Sequence, residues 1–234
     1  MSVSYKRVLL KLSGEALSGS DGVINYEYIQ KIGSVVRKCL KDGVQVAVVV
    51  GAGNIWRGRQ GLSMDRVRAD HMGMLATVIN ALAIQDAFIS VGIDTVVMSA
   101  VEMNAFCEQY TQRDAVRALE RGKVVVFGCG TGNPFFSTDT GAVLRAAEIG
   151  ADVILMAKNI DGVYTADPHK DPSAEKLSET TYDHILSEHL GVIDMTAASL
   201  AMDNSIPLYI FGLNDPENIY RVAKGERIGT EVVK

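Results

Sequence analysis

The chain has 234 residues and a formal net charge of −5, with 47% apolar and 22% charged residues. This composition is typical of a globular protein with a substantial core, and the length allows one large domain or two small ones. No block of Lys and Arg stands out, so the charge pattern does not indicate a nucleic-acid-binding surface.

The chain also lacks the patterns of secreted and membrane proteins. The segment Met1–Gly14 has too few apolar residues for a signal sequence, and no apolar run approaches the roughly 18 residues of a membrane span. Three widely spaced cysteines, Cys39, Cys107 and Cys129, lack CxxC spacing and lie in or beside apolar segments. We therefore expect buried free thiols in a cytoplasmic protein with no membrane or nucleic-acid partner.

Six apolar runs alternate with helical patterns along the chain. The predicted strands cover residues 7–12, 44–50, 94–98, 123–127, 152–157 and 207–211. The predicted helices cover about 29–40, 70–91, 113–121, 138–148, 181–189, 196–204 and 216–223. Valine- and isoleucine-rich runs without strict alternation are typical of strands covered on both faces. The order of elements predicts an α/β fold with a doubly wound parallel sheet and right-handed crossovers.

The composition becomes polar and rich in Asp and Pro after Asn159. This change could mark a domain boundary or a long functional loop within one sheet. Ligands of such sheets bind beyond the carboxyl ends of the strands, so the loops that follow the strands are the places to search for chemistry.

The first strand ends in KLSGEAL, residues 11–17. Lys11 lies at the end of the strand and would face an anion bound at the sheet edge. The turn Ser13-Gly14 follows it directly. A lysine that snorkels from a strand end beside a common turn is the alternative interpretation.

The second strand runs into VVVGAGNIWRG, residues 48–58. Glycines beside a strand let the backbone approach a ligand closely and direct N–H groups at an anion, and Arg57 adds a planar fork suited to phosphate. The segment completes neither a GxGxxG fingerprint nor a Walker A sequence. A tight turn between strand and helix remains the alternative.

The predicted long helix begins near ADHMGM, residues 69–74. Asp70 is a candidate N-cap, because a carboxylate there accepts hydrogen bonds from the free N–H groups of the first turn. His71 is locally an ordinary polar residue of the first turn. Neither residue indicates a site by itself.

The segment FGCGTGNPFFSTDTGA, residues 127–142, crowds glycines, hydroxyls and two phenylalanines into one connection. Glycines permit left-handed backbone angles, and N–H groups that lead into a helix N-terminus suit a phosphate. Phe135 and Phe136 are too hydrophobic for an exposed turn unless one folds into the core, and the other could border a planar ligand. The glycines are Gly128, Gly130 and Gly132, and the hydroxyls are those of Thr131, Ser137 and Thr138.

The segment KNIDGVYTADP, residues 158–168, follows the fifth predicted strand and carries two turn signals. It could be a solvated hairpin. It could also border a nucleotide pocket, with Tyr164 against a base and Asp167 accepting a hydrogen bond from ribose or base. Asp194 precedes a predicted helix and is locally another cap candidate.

Three glycine-bearing loops at successive strand ends, together with a lysine and an arginine, suggest two phosphate-bearing ligands at one sheet edge. Phosphoryl transfer requires this arrangement, since it depends on in-line oxygens and on positive charge around the transferred group. The spacings do not specify the substrate.

With these loops assembled, the chain resembles the bacterial-type uridylate kinases of the amino-acid-kinase superfamily, essentially from end to end. The segments that carry the resemblance are YKRVLLKLSGEAL, GAGNIWRG, ADHMGMLATVINALA, GTGNPFFSTDT, NIDGVYTADP and IDMTA. The resemblance implies one domain over residues 1–234, a three-layer αβα sandwich around a mainly parallel sheet. The acceptor nucleotide would lie mostly on residues 1–150, and ATP mostly on residues 151–234.

The resemblance also implies an activity, ATP + UMP → ADP + UDP, in pyrimidine nucleotide synthesis. Mg²⁺ would accompany ATP without a dedicated metal site on the protein. The enzyme would form homohexamers, and activation by GTP and inhibition by UTP are the regulation that the resemblance implies. The region of the GTP effect would lie near the segment GSDG, residues 19–22.

Site residues carry over from the family position by position. The catalytic set is Lys11, Asp139 and Asp194. The ATP-binding set is Lys11, Ser13, Gly14, Gly53, Arg57, Lys158, Asn159, Tyr164 and Asp167. The UMP-binding set is Gly51, Ala52, Asp70, Thr131, Gly132, Asn133, Pro134, Phe135, Phe136, Ser137 and Thr138.

Two positions depart from the family pattern. Ala52 stands where many members have glycine, and it would be strained by about 1 kcal/mol if the backbone there needs a positive φ. Lys158 stands where some members have a threonine that contacts ATP, so that contact is replaced or lost, and Lys158 could instead reach a phosphate.

Two other functions fit parts of the pattern. A kinase of carbamate or an acidic amino acid would need no uracil-ribose pocket, which the loop NPFFST and Asp70 argue against. A non-catalytic pyrimidine-nucleotide sensor would not need the charges of the ATP side. The residues that argue against it are Lys11, Arg57, Asp139 and Asp194.

Overall fold

The structure is a computed structural model that describes residues 4–19, 22–56, 64–166, 168, 170–171 and 173–234. The strands are β1 (Arg7–Leu12), β2 (Gln45–Val50), β3 (Thr95–Ser99), β4 (Glu108–Gln109), β5 (Val124–Gly128), β6 (Val153–Lys158), β7 (Val163–Tyr164), β8 (Lys176–Leu177), β9 (Glu179–Thr181), β10 (Leu208–Gly212) and β11 (Thr230–Val233). The helices are α1 (Tyr26–Lys41), α2 (Arg66–Ser90), α3 (Gln112–Glu120), α4 (Thr138–Ile149), α5 (Tyr182–Ser187), α6 (Met195–Asp203) and α7 (Glu217–Ala223). A short 3₁₀ helix covers Gly14–Leu17.

Nine strands form one sheet in the order β4-β3-β5-β2-β1-β6-β10-β11-β9. Every neighbouring pair is parallel except β10 and β11, and β7 pairs with β8 in a separate antiparallel hairpin. The mainly parallel sheet between helical layers confirms the expected α/β fold. The carboxyl ends of β5, β2, β1 and β6 are neighbours, so the loops that follow these four strands meet at one edge.

The two faces of the sheet are covered by different helices. In β1, Val8, Leu10 and Leu12 pack in the core with α1, α2 and α7, whereas Leu9 packs in the second core with α3, α4, α5 and α6. Because side chains alternate along a strand, Lys11 lies on the same face as Leu9. The alternation therefore turns Lys11 towards the layer that contains α4.

The six long predicted strands and all seven predicted helices are confirmed, with shifts of a few residues at their ends. The short strands β4, β7, β8, β9 and β11 were not predicted, because two to four residues carry too little periodicity. Residues 159–181 hold the hairpin of β7 and β8 and the edge strand β9. The single domain over residues 1–234 stays a prediction, although strands from both halves of the chain share the large sheet.

Helix α2 is longer than predicted and begins at Arg66, with Asp65 as its N-cap. By length and composition it is apolar enough to cross a membrane, with a mean hydropathy of 1.5 and 44% of that window buried. The core helix of a soluble protein passes the same test, and α2 packs against α1, β3 and β5. These contacts favour a core helix.

Candidate active site

Three charged side chains meet where β1 and β6 end. The ammonium of Lys11 lies 2.7 Å from one carboxylate oxygen of Asp139, and that of Lys158 lies 3.6 Å from the other. Lys11 and Lys158 come from neighbouring strands, and Asp139 is the second residue of α4. The side chain of Lys11 is 11% exposed, that of Lys158 is 18% exposed and that of Asp139 is 15% exposed, so water screens their charges weakly.

The two lysines hold Asp139 in its ionised form. Burial alone would raise the pKa of the Asp139 carboxyl, but the charges of Lys11 and Lys158 outweigh burial and lower that pKa. Burial lowers the pKa of Lys158; Asp139 opposes this effect and Lys11 adds to it. Asp194 lies close enough to raise the pKa of Lys158 as well. Two ammonium groups held together at a sheet edge suit a phosphate.

Asp194 ties the N-termini of α4 and α6 together. Its carboxylate caps α6 through the N–H of Ala197, at 3.0 Å, and also accepts hydrogen bonds from the hydroxyls of Ser137 and Thr140. Ser137 in turn caps α4, since its hydroxyl accepts from the N–H of Thr140. The positive ends of two helix dipoles thus lie beside the lysine cluster.

The loops after β1 and β2 are in direct contact. A Cβ on Gly14 would lie 2.5 Å from the carbonyl oxygen of Gly51 and 2.7 Å from the backbone nitrogen of Gly53, so only glycine fits at position 14. Gly51 also lies beside Thr138, because a Cβ on Gly51 would be 4.0 Å from the Thr138 hydroxyl oxygen. Predicted residues of both nucleotide sides are therefore neighbours.

The loop of residues 129–137 has an unusual backbone. Gly130 and Gly132 adopt left-handed angles, as predicted, with φ of +55° and +86°. Gly128 does not: it is the last residue of β5, and the left-handed angle falls on Cys129 instead. Phe135 is a second non-glycine with such an angle, at φ +72°. Bulky residues rarely take this conformation, so the loop is held by its surroundings.

Asp70 supplies one of the contacts that hold this loop. Its carboxylate accepts a hydrogen bond from the N–H of Phe135 at 2.8 Å and one from Arg66, also at 2.8 Å. The cap role considered for Asp70 is wrong, because α2 begins one turn earlier, at Arg66, and Asp65 is its N-cap. The aspartate instead joins α2 to the loop of residues 129–137.

The expectation that one phenylalanine would fold into the core is also wrong. Phe135 is 61% exposed and Phe136 is 51% exposed. The left-handed backbone at Phe135 is compatible with an outward ring, and Arg66 lies 5.5 Å from its centroid. Both rings remain available for contact with a ligand or with another chain.

A cavity of about 830 Å³ opens beside the lysine cluster. Five of the predicted ATP-binding residues line it, namely Lys11, Ser13, Lys158, Asn159 and Tyr164. A second cavity of about 390 Å³ shares Lys158 and Tyr164 and adds Leu190 and Val192, which make its wall more apolar. Together the two cavities offer a charged end for phosphates and an apolar end for a base.

The amino acid kinase family model matches residues 6–212. The chain belongs to the amino acid kinase family. Solved structures of UMP kinase from Bacillus anthracis and Ureaplasma parvum match with TM-scores of 0.94 and 0.93, each at 36% identity. The matches cover 98% of this chain and 96% and 99% of those chains. A uridylate kinase from Archaeoglobus fulgidus matches at 31% identity with a TM-score of 0.74, covering 96% of this chain and 99% of that one.

The structure answers the question that Ala52 raised within this amino acid kinase. Among the described residues, the left-handed non-glycines are Cys129, Phe135, His189 and Ser205. Ala52 is not one of them and is buried at 9% exposure. Position 52 therefore needs a small side chain rather than a glycine, and the alanine is accommodated without backbone strain.

Two site residues that the sequence analysis named, Arg57 and Asp167, lie outside the described residues. One residue that it missed is Asn80 of α2, which is fully buried. Its amide donates to the carbonyl of Gly51 at 2.8 Å and exchanges two hydrogen bonds with the amide of Asn54. The one sequence feature that could have indicated its role is an asparagine inside an apolar helix. Such a residue needs hydrogen-bond partners, because buried amides are usually fully hydrogen-bonded.

Proposed function

We propose that this chain transfers the γ-phosphoryl group of ATP to UMP, producing ADP and UDP in pyrimidine nucleotide synthesis. The observation that carries the proposal is the cluster of Lys11, Asp139 and Lys158 at the edge where the loops after β1, β2, β5 and β6 meet. The 36% identity to two UMP kinases over nearly the whole chain supports UMP as the acceptor.

ATP is assigned to the side of β6. Its phosphates would lie against Lys11 and Lys158 in the 830 Å³ cavity, and its base would occupy the more apolar 390 Å³ cavity. Tyr164 lines both cavities and donates its hydroxyl to Asp161 at 2.9 Å, which fixes the ring at their junction. Asn159 is exposed in the same wall and is free to reach a ribose or phosphate oxygen.

UMP is assigned to the side of β2 and β5. The loop of residues 129–137, Asp70 and the backbone of residues 51–52 would surround it. Transfer then needs an oxygen of the UMP phosphate to attack the γ-phosphorus while the bond to the β,γ-bridging oxygen breaks and ADP leaves. Lys11 would neutralise charge on the transferred group, and the N-termini of α4 and α6 would add positive potential.

Asp139 is proposed to position the two lysines rather than to take a proton. Its two oxygens each face one ammonium group, which holds both cations at fixed distances. Pre-positioned charge needs no reorganisation during the reaction. Asp194 would act indirectly, through Asp139, because its carboxylate fixes the start of α4, where Asp139 lies.

Mg²⁺ is proposed as a companion of ATP. Among the residues that the structure describes, no group of three His, Cys, Asp or Glu side chains could hold a metal ion. The two carboxylates at the lysine cluster already have partners, since Asp139 forms ion pairs with the lysines and Asp194 accepts hydrogen bonds from hydroxyls. The role proposed for the ion is charge neutralisation on the nucleotide, as part of the substrate.

The test is ADP release with MgATP and a panel of acceptors: UMP, CMP, dUMP, carbamate, aspartate and N-acetylglutamate. We expect turnover with UMP to exceed turnover with every other acceptor. Folded protein that turns over carbamate or an acidic amino acid in preference to UMP would contradict the proposal. Adding GTP or UTP to the same assay measures the activation and inhibition expected from the family resemblance.

Replacing Asp70 tests the acceptor side. We expect Asp70→Asn to raise KM for UMP by about tenfold or more, because a charge-assisted hydrogen bond is lost, while KM for ATP changes little. Steady-state kinetics with each substrate varied in turn measures both constants. Asp65→Asn is the matched control, since asparagine also caps a helix well and the same charge is removed from α2. Equal losses for UMP and ATP would assign Asp70 a structural role.

Self-association is proposed from the outer face of α2. Leu75 and Ile79 are 51% and 50% exposed, Met72 is 39% exposed, and Ile89 at the far end is 54% exposed. These residues form an apolar stripe at helical spacing, and such patches mark association surfaces. A homohexamer is the expected assembly, and light scattering after size exclusion would show a monomer if the proposal is wrong.

Regulation and location stay predictions. Gly19 and Gly22 pair with each other, whereas Ser20 and Asp21, the central residues of the segment expected near the GTP site, lie outside the described residues. All three cysteines are free, with Cys39 and Cys129 buried and Cys107 partly exposed. Free thiols support the proposed cytoplasmic location.

A further inference from the structure

Arg145 is a buried arginine on α4 to which the sequence analysis gave no role. Only 4% of its surface is exposed. Its Nη2 donates a hydrogen bond to the carbonyl oxygen of Gly130 at 3.2 Å. Because a buried guanidinium is costly unless its donors are paired, its contacts indicate what the side chain is for.

Two groups outside the loop, Glu148 and Tyr110, hold the guanidinium in place. Its Nη1 pairs with Glu148, and its Cζ lies 4.0 Å from the ring centroid of Tyr110. The Tyr110 hydroxyl donates to Glu148 at 2.6 Å, and its ring packs edge-on against Phe127 of β5 at 5.4 Å. This cluster leaves the Nη2 group pointing at the carbonyl of Gly130.

The same peptide is contacted one helical turn earlier. A Cβ on Gly141 would lie 3.1 Å from the Cα of Gly130 and 3.4 Å from the nitrogen of Thr131, so α4 and the loop are in backbone contact there. Gly141 and Arg145 are four residues apart and share a helix face. Gly130 has a φ of +55°, and glycine has several other accessible states, so this peptide needs an external contact to keep one orientation.

We propose that Arg145 is a positioning residue for the acceptor nucleotide. By holding the carbonyl of Gly130, it keeps the segment from Thr131 to Thr138 in the arrangement that receives UMP, an inference that rests on the proposed function. Pre-ordering the loop removes part of the entropy cost of binding. Because Asp139 is on the same helix, α4 aligns the acceptor loop with the carboxylate that holds Lys11.

The test is Arg145→Lys, assayed with UMP and ATP varied in turn. Lysine keeps the charge but lacks the planar fork that serves Glu148 and Gly130 together. We expect KM for UMP to rise about tenfold, with KM for ATP unchanged and kcat within about twofold, since the contact acts on acceptor binding. Tyr110→Phe keeps the ring under the guanidinium and should change KM for UMP much less.

Arg117→Lys is the matched control. Arg117 is an arginine on α3 that pairs with Asp114 three residues earlier at 3.6 Å, and it is 54% exposed. Its replacement should leave every constant unchanged. If Arg145→Lys does not fold, Gly141→Ala probes the same peptide, because the added methyl group displaces Gly130 and should also raise KM for UMP.

Two results would overturn the inference. A merely structural Arg145 would lower kcat in proportion to lost folded protein, while KM for UMP stayed at the parent value in both Arg145→Lys and Gly141→Ala. Absence of UMP turnover by the folded parent protein would overturn the proposed function, and this inference with it. The two failures are distinct, because only the second appears in the parent protein.

Discussion

Lys11→Ala is expected to lower kcat by about 100-fold or more, which corresponds to about 2.7 kcal/mol of lost transition-state stabilisation. Lys11 lies 2.7 Å from Asp139 at the end of the central strand, where the transferred phosphoryl group would pass. An interaction that strengthens as charge develops acts on kcat more than on KM. Single-turnover measurements with MgATP and UMP separate this chemical step from product release.

The variant also leaves Asp139 with one cation instead of two. A control that removes another lysine paired with a carboxylate is therefore needed. Lys38→Ala removes a lysine that also pairs with a carboxylate at 2.7 Å, but on the surface and with 51% of its side chain exposed. It should leave kcat unchanged. If Lys11→Ala raises only KM for ATP and leaves kcat at the parent value, Lys11 binds the ground state, and the catalytic role is wrong.

The sequence was sufficient to predict the frame of this site. The run RVLLKL is apolar on both faces of the strand, which placed it inside a parallel sheet, and its next-to-last residue, Lys11, then had to lie near the carboxyl edge. The glycines beside the strand ends indicated a close approach of the backbone to a ligand, and the structure shows in addition that Gly14 and Gly51 bring two of these loops into contact. These predictions rest on local sequence patterns, which a segment of a few residues is long enough to show.

Contacts between distant segments could not be predicted in this way. Asp70 looked like a cap because an aspartate before an apolar helix usually is one, yet Asp65 takes that role and frees Asp70 to hold the N–H of Phe135. Similarly, Phe135 and Phe136 were expected to be too apolar for an exposed turn, yet both are exposed in the structure. Nothing in the local sequence reports a partner 65 residues away.

Arg145 illustrates the same limit on α4. In the sequence it reads as an ordinary polar position in a helical pattern, and only the fold shows that it is buried against Tyr110 and the loop of residues 129–137. Likewise, Lys158 was assigned to the ATP side only because it stands at a position where some family members have a threonine that contacts ATP. Its proximity to Asp139 appears once β6 lies beside β1 and α4 begins above both.

Asp139→Asn is expected to lower kcat by about 100-fold, because two buried ammonium groups then lack the anion that holds them apart and in place. Asparagine has nearly the same shape, so the loss reports charge rather than packing. Asp114→Asn is the matched control, since Asp114 also lies in the first turn of a helix, α3, and is 37% exposed. An Asp139→Asn variant with parent kcat would contradict the positioning role.

The pH dependence of this variant gives a second and independent readout. In the parent protein, Asp139 raises the pKa of Lys158 against the effect of burial. Without that carboxylate the pKa of Lys158 falls further, so the ammonium is lost at lower pH and the alkaline limb of the kcat profile should move to lower pH.

The stability of the protein should respond at the acidic end of the pH range. The pKa of Asp139 is lowered in the folded state, so its contribution to the free energy of unfolding is complete above the unfolded-state pKa and disappears as pH falls through the folded-state pKa. The difference in unfolding free energy between the parent and Asp139→Asn should therefore shrink on acidification, and a difference that grew instead would contradict the ion pairs described here.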